Sequence, residues 1–201
     1  MRQEIRDGIV MPASDKHFFG GVRNYQRPIF DLAMTFVPKM DGVAIDAGAH
    51  VGIFTRRMSQ FAEVLAFEPD PDNYACLVEN VKQMPWIRPI HAAVGEKQGW
   101  GYVNIDADHN SGARSFIPSD DGPTRVFTID DFHGLHVQLI KIDTQGSEFS
   151  ILKGATMTLR RDHPVLIVEM PDADTTIYLS NLGYRPAARV NKDQIFTWRH
   201  S

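Results

Sequence analysis

Short runs of almost wholly apolar residues, each closed by a carboxylate, most restrict how this chain can fold. Val43-Ala-Ile45 runs into Asp46-Ala-Gly48, and Val64-Leu-Ala-Phe67 runs into Glu68-Pro69. Val137 to Ile142 ends at Asp143, and Pro164 to Val168 ends at Glu169. Strands apolar on both sides must be covered on both sides, as in a parallel sheet between two layers of helices. Amphipathic stretches separate the runs. Val51, Phe54, Met58 and Phe61 follow the first at helical spacing. After the second, Asp70-Pro71 supplies an N-cap and a proline at the first helical position, and Tyr74, Leu77, Val78, Val81 and Met84 mark one helix face. Ile87 to His91 reads as a third strand. A short helix is expected from about Ser147 to Lys153, with Gly154 as its stop, and a further helix from Asp172 to Leu182. Arg185–Val190 and Gln194–Trp198 read as a terminal hairpin. The expected fold is a doubly wound, Rossmann-like α/β domain.

Two regions depart from the alternation. Between Gly95 and Phe132, residues 100–105 and 124–129 read as extra strands around a polar loop, Asp106 to Asp121. Residues 1–40 read as a helical preface, with Phe18, Phe19, Tyr25, Phe30 and Phe36 supplying apolar contacts, ahead of a main domain at 41–201. The 201 residues suit one large domain overall. With 21 Lys and Arg against 25 Asp and Glu, the net charge of −4 argues against a surface built to grip nucleic acid. Cys76 is the single cysteine, so an internal disulfide framework is excluded; within a helix and without a basic neighbour it reads as an inert thiol. The first residues lack the apolar core of a signal peptide and no aliphatic run is long enough to span a bilayer, so a soluble, cytoplasmic protein without a membrane partner is expected.

Ligands of open parallel sheets sit at the carboxyl ends of the strands, beside the point where strand order reverses. Gly48 and Gly52, in Asp46-Ala-Gly-Ala-His-Val-Gly52, stand where a strand turns tightly into a helix, although any such turn favours glycine. Glu68 lies 20 residues after Gly48, at the next strand end, where a carboxylate can accept both ribose hydroxyls. Together they point to an adenosine-containing ligand. A dinucleotide site would show G-x-G-x-x-G to receive a pyrophosphate, and this chain has Asp46 at the first of those glycines. S-adenosylmethionine carries an adenosine and a cationic amino-acid end and has no phosphate, so it suits that carboxylate.

Ile45-Asp-Ala-Gly-Ala-His-Val-Gly-Ile-Phe-Thr55, Ala66-Phe-Glu-Pro69 and Leu139-Ile-Lys-Ile-Asp-Thr-Gln-Gly-Ser-Glu148, followed by Ile151-Leu-Lys-Gly-Ala155, resemble the FkbM-type S-adenosylmethionine-dependent methyltransferases. Ala93-Val-Gly95 and Asn110-Ser-Gly-Ala-Arg-Ser115 also look like family features. His50 stands where the family often has asparagine, and Gln145 where it often has glutamate. The resemblance implies a seven-stranded sheet, mostly parallel, with the last strand antiparallel and helices on both faces. It implies that Asp46, Gly48, Ala49, His50 and Gly52 form the cradle of the methionine end, that Glu68 holds the ribose, and that Ala93 lies near the adenine. Asp143 would face donor and acceptor.

Methyl transfer to a hydroxyl needs alignment and removal of one proton. Asp143 is the first candidate for that work, against a purely local role as a helix-start cap. His109, in the polar loop, is a second candidate base, although a lone loop histidine is more often simply solvated. Asn110 and Ser115 are expected to contact the acceptor, a small molecule or sugar, from a covering loop. Glu148 and Glu169 closing on Asp143 would suggest a cation, but the ligand spacing is not that of a metal site. The expected activity is O-methylation. Two rivals stand beside it: a nicotinamide-dinucleotide oxidoreductase on a similar sheet, and a non-catalytic methyltransferase-like module.

Overall fold

In the computed structural model, residues 2–13, 15, 24–104 and 115–199 are described. The chain opens with an antiparallel hairpin, β1 (Gln3–Arg6) and β2 (Ile9–Pro12). Helix α1 (Arg27–Met34) follows, then β3 (Val43–Ala47), α2 (Ile53–Arg57), β4 (Glu63–Phe67), α3 (Pro71–Val81) and β5 (Ile87–Ile90). After an excursion through β6 (Ala93–Val94), β7 (Gly99–Asn104), β8 (Ser115–Pro118) and β9 (Thr124–Phe127), the chain returns as β10 (Val137–Ile142). It ends with α4 (Glu148–Lys153), α5 (Thr156–Asp162), β11 (Val165–Glu169), α6 (Ala173–Asn181), β12 (Tyr184–Val190) and β13 (Asp193–Trp198).

Seven strands form one sheet in the order β12-β13-β11-β10-β3-β4-β5. The five from β5 to β11 are mutually parallel, and the last strand, β13, runs antiparallel between β11 and β12. Strand order reverses between β3 and β10, which places the crevice of an open α/β sheet at the ends holding Asp46 and Asp143. One side of the sheet, with Ile45, Ile140, Ile142 and Val168, packs on α4, α5 and α6 through Ile151, Leu152, Leu159 and Leu179. The other, with Ala44, Leu139, Ile167 and Ile195, packs on Ile29, Phe30 and Ala33 of α1 and on Phe54 and Met58.

Three expectations are corrected. Residues 3–12 are a hairpin, so α1 is the helical part of the described preface; Asp7 and Gly8 both take positive φ and close the two-residue turn that this dipeptide favours. The hairpin packs Ile9 and Met11 on Val51, Ile53 and Cys76, and Asn80 ties it down by accepting from Val10 N–H and donating to the carbonyls of Val10 and Val51. The polar loop contains β8, whose Ser115 is paired with Asn104. Finally, α5 is a separate helix after Gly154. Its first N–H groups are capped from a distance by Asp130, which accepts from Met157 N and Thr158 N.

Candidate active site

The turn after β3 is shaped by glycines that no other residue could replace without movement. Gly48 has φ +82°, and a Cβ there would lie 2.0 Å from the Asp143 carbonyl oxygen. Gly52 has φ +87°, and its Cβ would meet Leu77 Cδ1 at 2.6 Å. The loop therefore lies directly against β10 and α3. Its amides are already committed: Gly48 N and Ala49 N donate to the Phe67 carbonyl at 3.1 and 2.9 Å, and His50 N donates to Glu68 Oε2 at 2.7 Å. Glu68 Oε1 accepts from Asp70 N at 2.9 Å, so one carboxylate braces the loop and the start of α3 together. Asp70 in turn caps α3, accepting from Asp72 N and Asn73 N as its Asp-Pro signature foretold. Burial pushes the Glu68 carboxyl up to about 7, against the downward pull of His50 and the two N–H donors. His50 carries φ +51° and sets Nε2 3.6 Å from the buried Asp15.

Beside this loop, a row of charged groups crosses four neighbouring strands on the α1 side of the sheet. Asp46 and Lys141 are register partners on β3 and β10; Asp143 follows Lys141 by two residues, Glu169 lies level with Asp143, and Asp193 pairs with Glu169. Lys141 Nζ lies 3.6 Å from Asp46 Oδ1 and 3.0 Å from Asp143 Oδ2. Asp143 also accepts from Gln26 Nε2 at 2.8 Å, and Glu169 stands beside it at the end of the adjacent strand. Lys192 pairs with Glu169. Gln26, the residue before α1, holds φ +50°, an uncommon conformation for a non-glycine residue. It belongs to the segment that brings Tyr25 and Gln26 over the row.

The electrostatics separate the members of the row. Burial would raise the Asp143 carboxyl, but Lys141 and the hydrogen bonds hold it well below the usual carboxylate range. Glu169 goes the other way, pushed up to about 7 by burial and by the Asp143 carboxylate beside it. Asp46 is raised by burial, eased by Lys141 and by Thr55, which donates to Oδ2 at 2.6 Å. Lys141 stays charged because Asp143 and Asp46 outweigh its burial. The Tyr25 phenol is pushed up to about 12 by burial and then by Asp143, although the residue as a whole is 38% exposed.

A cavity of about 310 Å³ opens between the connections that follow β10 and β11, lined by Thr144, Gln145, Phe149, Glu169, Met170 and Thr175 among others. Phe149 and Met170 give it apolar walls. Glu148, also on its lining, accepts from Thr144 Oγ1 and Gly146 N, and Asp172 caps α6 through Thr175 N. Glu169 thus borders the cavity and the buried row at once.

The structure gathers Asp46, Gly48, Ala49, His50, Gly52, Glu68 and Asp143 around the switch point. Asp46, however, is wholly buried, with its charge answered by Lys141 and Thr55. Its Oδ1 alone lacks a hydrogen-bond partner. Ala93 is buried at the start of β6. Ser115 sits in β8 and is not among the cavity's lining residues. His109 and Asn110 lie outside the described residues. Lys141, Gln26, Lys192 and Asp193 were not singled out from the sequence, and Glu169 was weighed only as a metal partner. Lys141 did carry a signal, a lone charge inside an apolar run; Gln26 and Asp193 did not.

Residues 46–186 match the model of the methyltransferase FkbM domain. The hexuronic acid methyltransferase AglP of Haloferax volcanii is 26% identical over 166 residues, covering 78% of this chain and 69% of that protein. Among solved structures, methyltransferase FkbM from Methylobacillus flagellatus superposes with a TM-score of 0.60 at 21% identity, over 80% of this chain. The match spans only 44% of that longer chain. A putative RNA methyltransferase from Pyrococcus horikoshii gives a TM-score of 0.55 at 11% identity, covering 94% of this chain and 90% of that one. At such identities the two structures bear on the fold alone. No helix among the described residues is long and apolar enough to cross a membrane.

Proposed function

The chain belongs to the FkbM family of methyltransferases, whose methyl donor is S-adenosylmethionine, and we propose that it methylates a hydroxyl of a neutral, sugar-like acceptor. The observation that carries this reading is the placement of Asp143 between two sites: the Gly48 loop closes against its backbone, and Glu169, its neighbour, borders the cavity. The residues present suit the donor. At Gly48 and Gly52 a Cβ would collide with Asp143 and Leu77, so the turn runs bare and close to its surroundings. Glu68 uses one lone pair of each oxygen on the protein and keeps others for ribose hydroxyls. Asp46, buried and answered by Lys141 and Thr55, holds the base of the loop rather than presenting a charge to the ligand. When bound, the donor supplies an electrophilic methyl group; the protein supplies alignment and a place for the acceptor's proton.

The hexuronic acid named for the Haloferax relative supports a sugar acceptor but not its neutrality, because that sugar carries a carboxylate. The cavity walls refine it. An aromatic ring and a thioether suit the faces of a pyranose, and the hydroxyls of Thr144 and Thr175 suit its rim. Among the described residues its lining holds Glu148, Glu169 and Asp172 and no lysine or arginine, so a free carboxylate would meet repulsion there. The test is to incubate the protein with isotopically labelled donor and a panel of neutral sugars, uronic acids and amines, and to locate the label by mass spectrometry. A methyl ether on a neutral sugar is the expected product. A methyl ester or an N-methyl product as the main outcome overturns the reading.

A further inference from the structure

Resting on that reading, we propose that Glu169 is the group that takes the proton from the acceptor hydroxyl, with Asp143 as the positioning residue that sets its basicity. The case begins with what each carboxyl touches. Asp143 keeps 14% of its side chain exposed, but its Oδ2 faces Lys141 Nζ and accepts from Gln26, contacts that favour the ionised form. A carboxylate so stabilised is a weak base. Glu169 is the more buried of the two, at 5% exposure, yet it is the one that borders the cavity.

Charge counting points the same way. Asp46, Asp143, Glu169 and Asp193 stand in the row against two ammonium groups, Lys141 and Lys192. Ionised throughout, the row would carry two excess negative charges in a low-dielectric setting. Two carboxyls side by side at adjacent strand ends favour one proton between them, and Asp143, held by Lys141 and Gln26, is the member that stays ionised. The remaining groups around Glu169 do not remove the need. Tyr25 approaches from the segment before α1 with its proton retained, and Glu148 and Asp172 add acidity from the cavity side. Glu169 is thereby left with a proton affinity near neutrality, where a general base works best.

The step balances simply. The acceptor O–H bond breaks and its proton passes to the Glu169 carboxylate. The oxygen's electron pair forms the new O–C bond while the C–S bond of the donor breaks, its pair going to sulfur and leaving a neutral thioether. The new Glu169 proton is held beside the Asp143 carboxylate until solvent removes it.

Two measurements test this. Difference infrared spectroscopy of the protein without ligands should show the carboxyls of Glu68 and Glu169 losing their protons near pH 7. E169Q should remove one of them, and D143N should move that same one by a unit or more to lower pH, since it deletes the neighbouring charge. The glutamine can donate to Asp143, so the fold is kept. In turnover with the labelled sugar, activity should rise tenfold per pH unit up to about 7 and then level. E169Q should lower it by about 10²–10⁴ and abolish that pH dependence, while D143N keeps part of the rate with its midpoint displaced to acid pH. A wild-type titration in E169Q, an E169Q rate within threefold of wild type, or an unmoved midpoint in D143N overturns the proposal. Failure of every sugar to accept the methyl group would instead overturn the preceding reading, with the infrared titration still deciding for or against the carboxyl pair.

Discussion

Lys141 and Asp46 face each other across β10 and β3, both buried, with the ammonium 3.6 Å from Asp46 and 3.0 Å from Asp143. One cation thus answers two carboxylates, and its Nζ lies over the Phe54 ring, 4.9 Å from the centroid. Removing one member of a buried pair is costly because the other charge stays behind without compensation. Lys141→Met is expected to destabilise the protein by about 3–5 kcal/mol, which at this size lowers the melting temperature by roughly 6–20 °C. Adding Asp46→Asn should recover a substantial part. Thermal unfolding at pH 7 checks this, and a loss in the single variant below about 1 kcal/mol would mean that water reaches the row.

The row and the Gly48 loop also set how stability varies with pH. Glu169 and Glu68 both sit near 7 in the folded state, above their unfolded values. The folded protein therefore holds more protons than the unfolded chain between about pH 4.5 and 7, and the stability these groups contribute is lost as pH rises through 7. Asp143 acts in the opposite sense, and only below the unfolded aspartate range, because its folded value is depressed. Urea unfolding should show stability falling from pH 5 to pH 8, by up to about 1.4 kcal/mol per unit for each proton. E169Q should make that slope shallower. An unchanged slope would mean that Glu169 carries no proton there.

The sheet was legible because its strands are buried on both sides, and such strands announce themselves as unbroken apolar runs with a polar terminus. The α3 cap at Asp70 was legible because capping is local. The terminal hairpin was too, since β12 and β13 are neighbours in sequence. By contrast, α5 was missed because Asp130, far back in the chain, caps its start. The β1–β2 hairpin was readable from Asp7-Gly8 between Ile5 and Ile9, a signal outweighed by the aromatic residues that follow. In the site, the loop and Glu68 follow from position in a βαβ unit. The Asp143–Glu169 pair does not, because it depends on β10 and β11 being neighbours in register and on Lys141 biasing one carboxyl over the other.

The Gly48 turn should tolerate no side chain. A Cβ there would lie 2.0 Å from the Asp143 carbonyl oxygen at a backbone conformation costing an L-residue roughly 1–2 kcal/mol. Gly48→Ala should therefore displace the end of β10, lower the melting temperature and weaken S-adenosylmethionine binding at least tenfold by calorimetry. Gly134→Ala is the control. Nothing lies within 4 Å of its added Cβ, and stability should stay within about 0.5 kcal/mol of wild type. Equal donor affinity in Gly48→Ala and wild type would mean that the loop is not the cradle.

Ligand-induced stabilisation separates the methyltransferase from its rivals with no acceptor in hand. A ligand that binds only the folded state at a hundredfold excess over Kd adds about 2.7 kcal/mol, or roughly 5–11 °C here. S-adenosylmethionine and its demethylated product should both produce such a rise, and NAD and NADP should not. The charge of Asp46 is not the main reason, since Lys141 and Thr55 already answer it. The reason lies in the amides: Gly48, Ala49 and His50 spend their N–H groups on Phe67 and Glu68, leaving them unable to receive a pyrophosphate. Ribose hydroxyls need only acceptor capacity, which Glu68 retains. Glu68→Ala should then act twice, releasing the His50 and Asp70 amides and removing the ribose contact, so that both the melting temperature and the ligand shift fall. A rise with NAD alone would assign the protein to dinucleotide chemistry, and no rise with any of the four ligands in folded protein would leave a module that does not bind the donor.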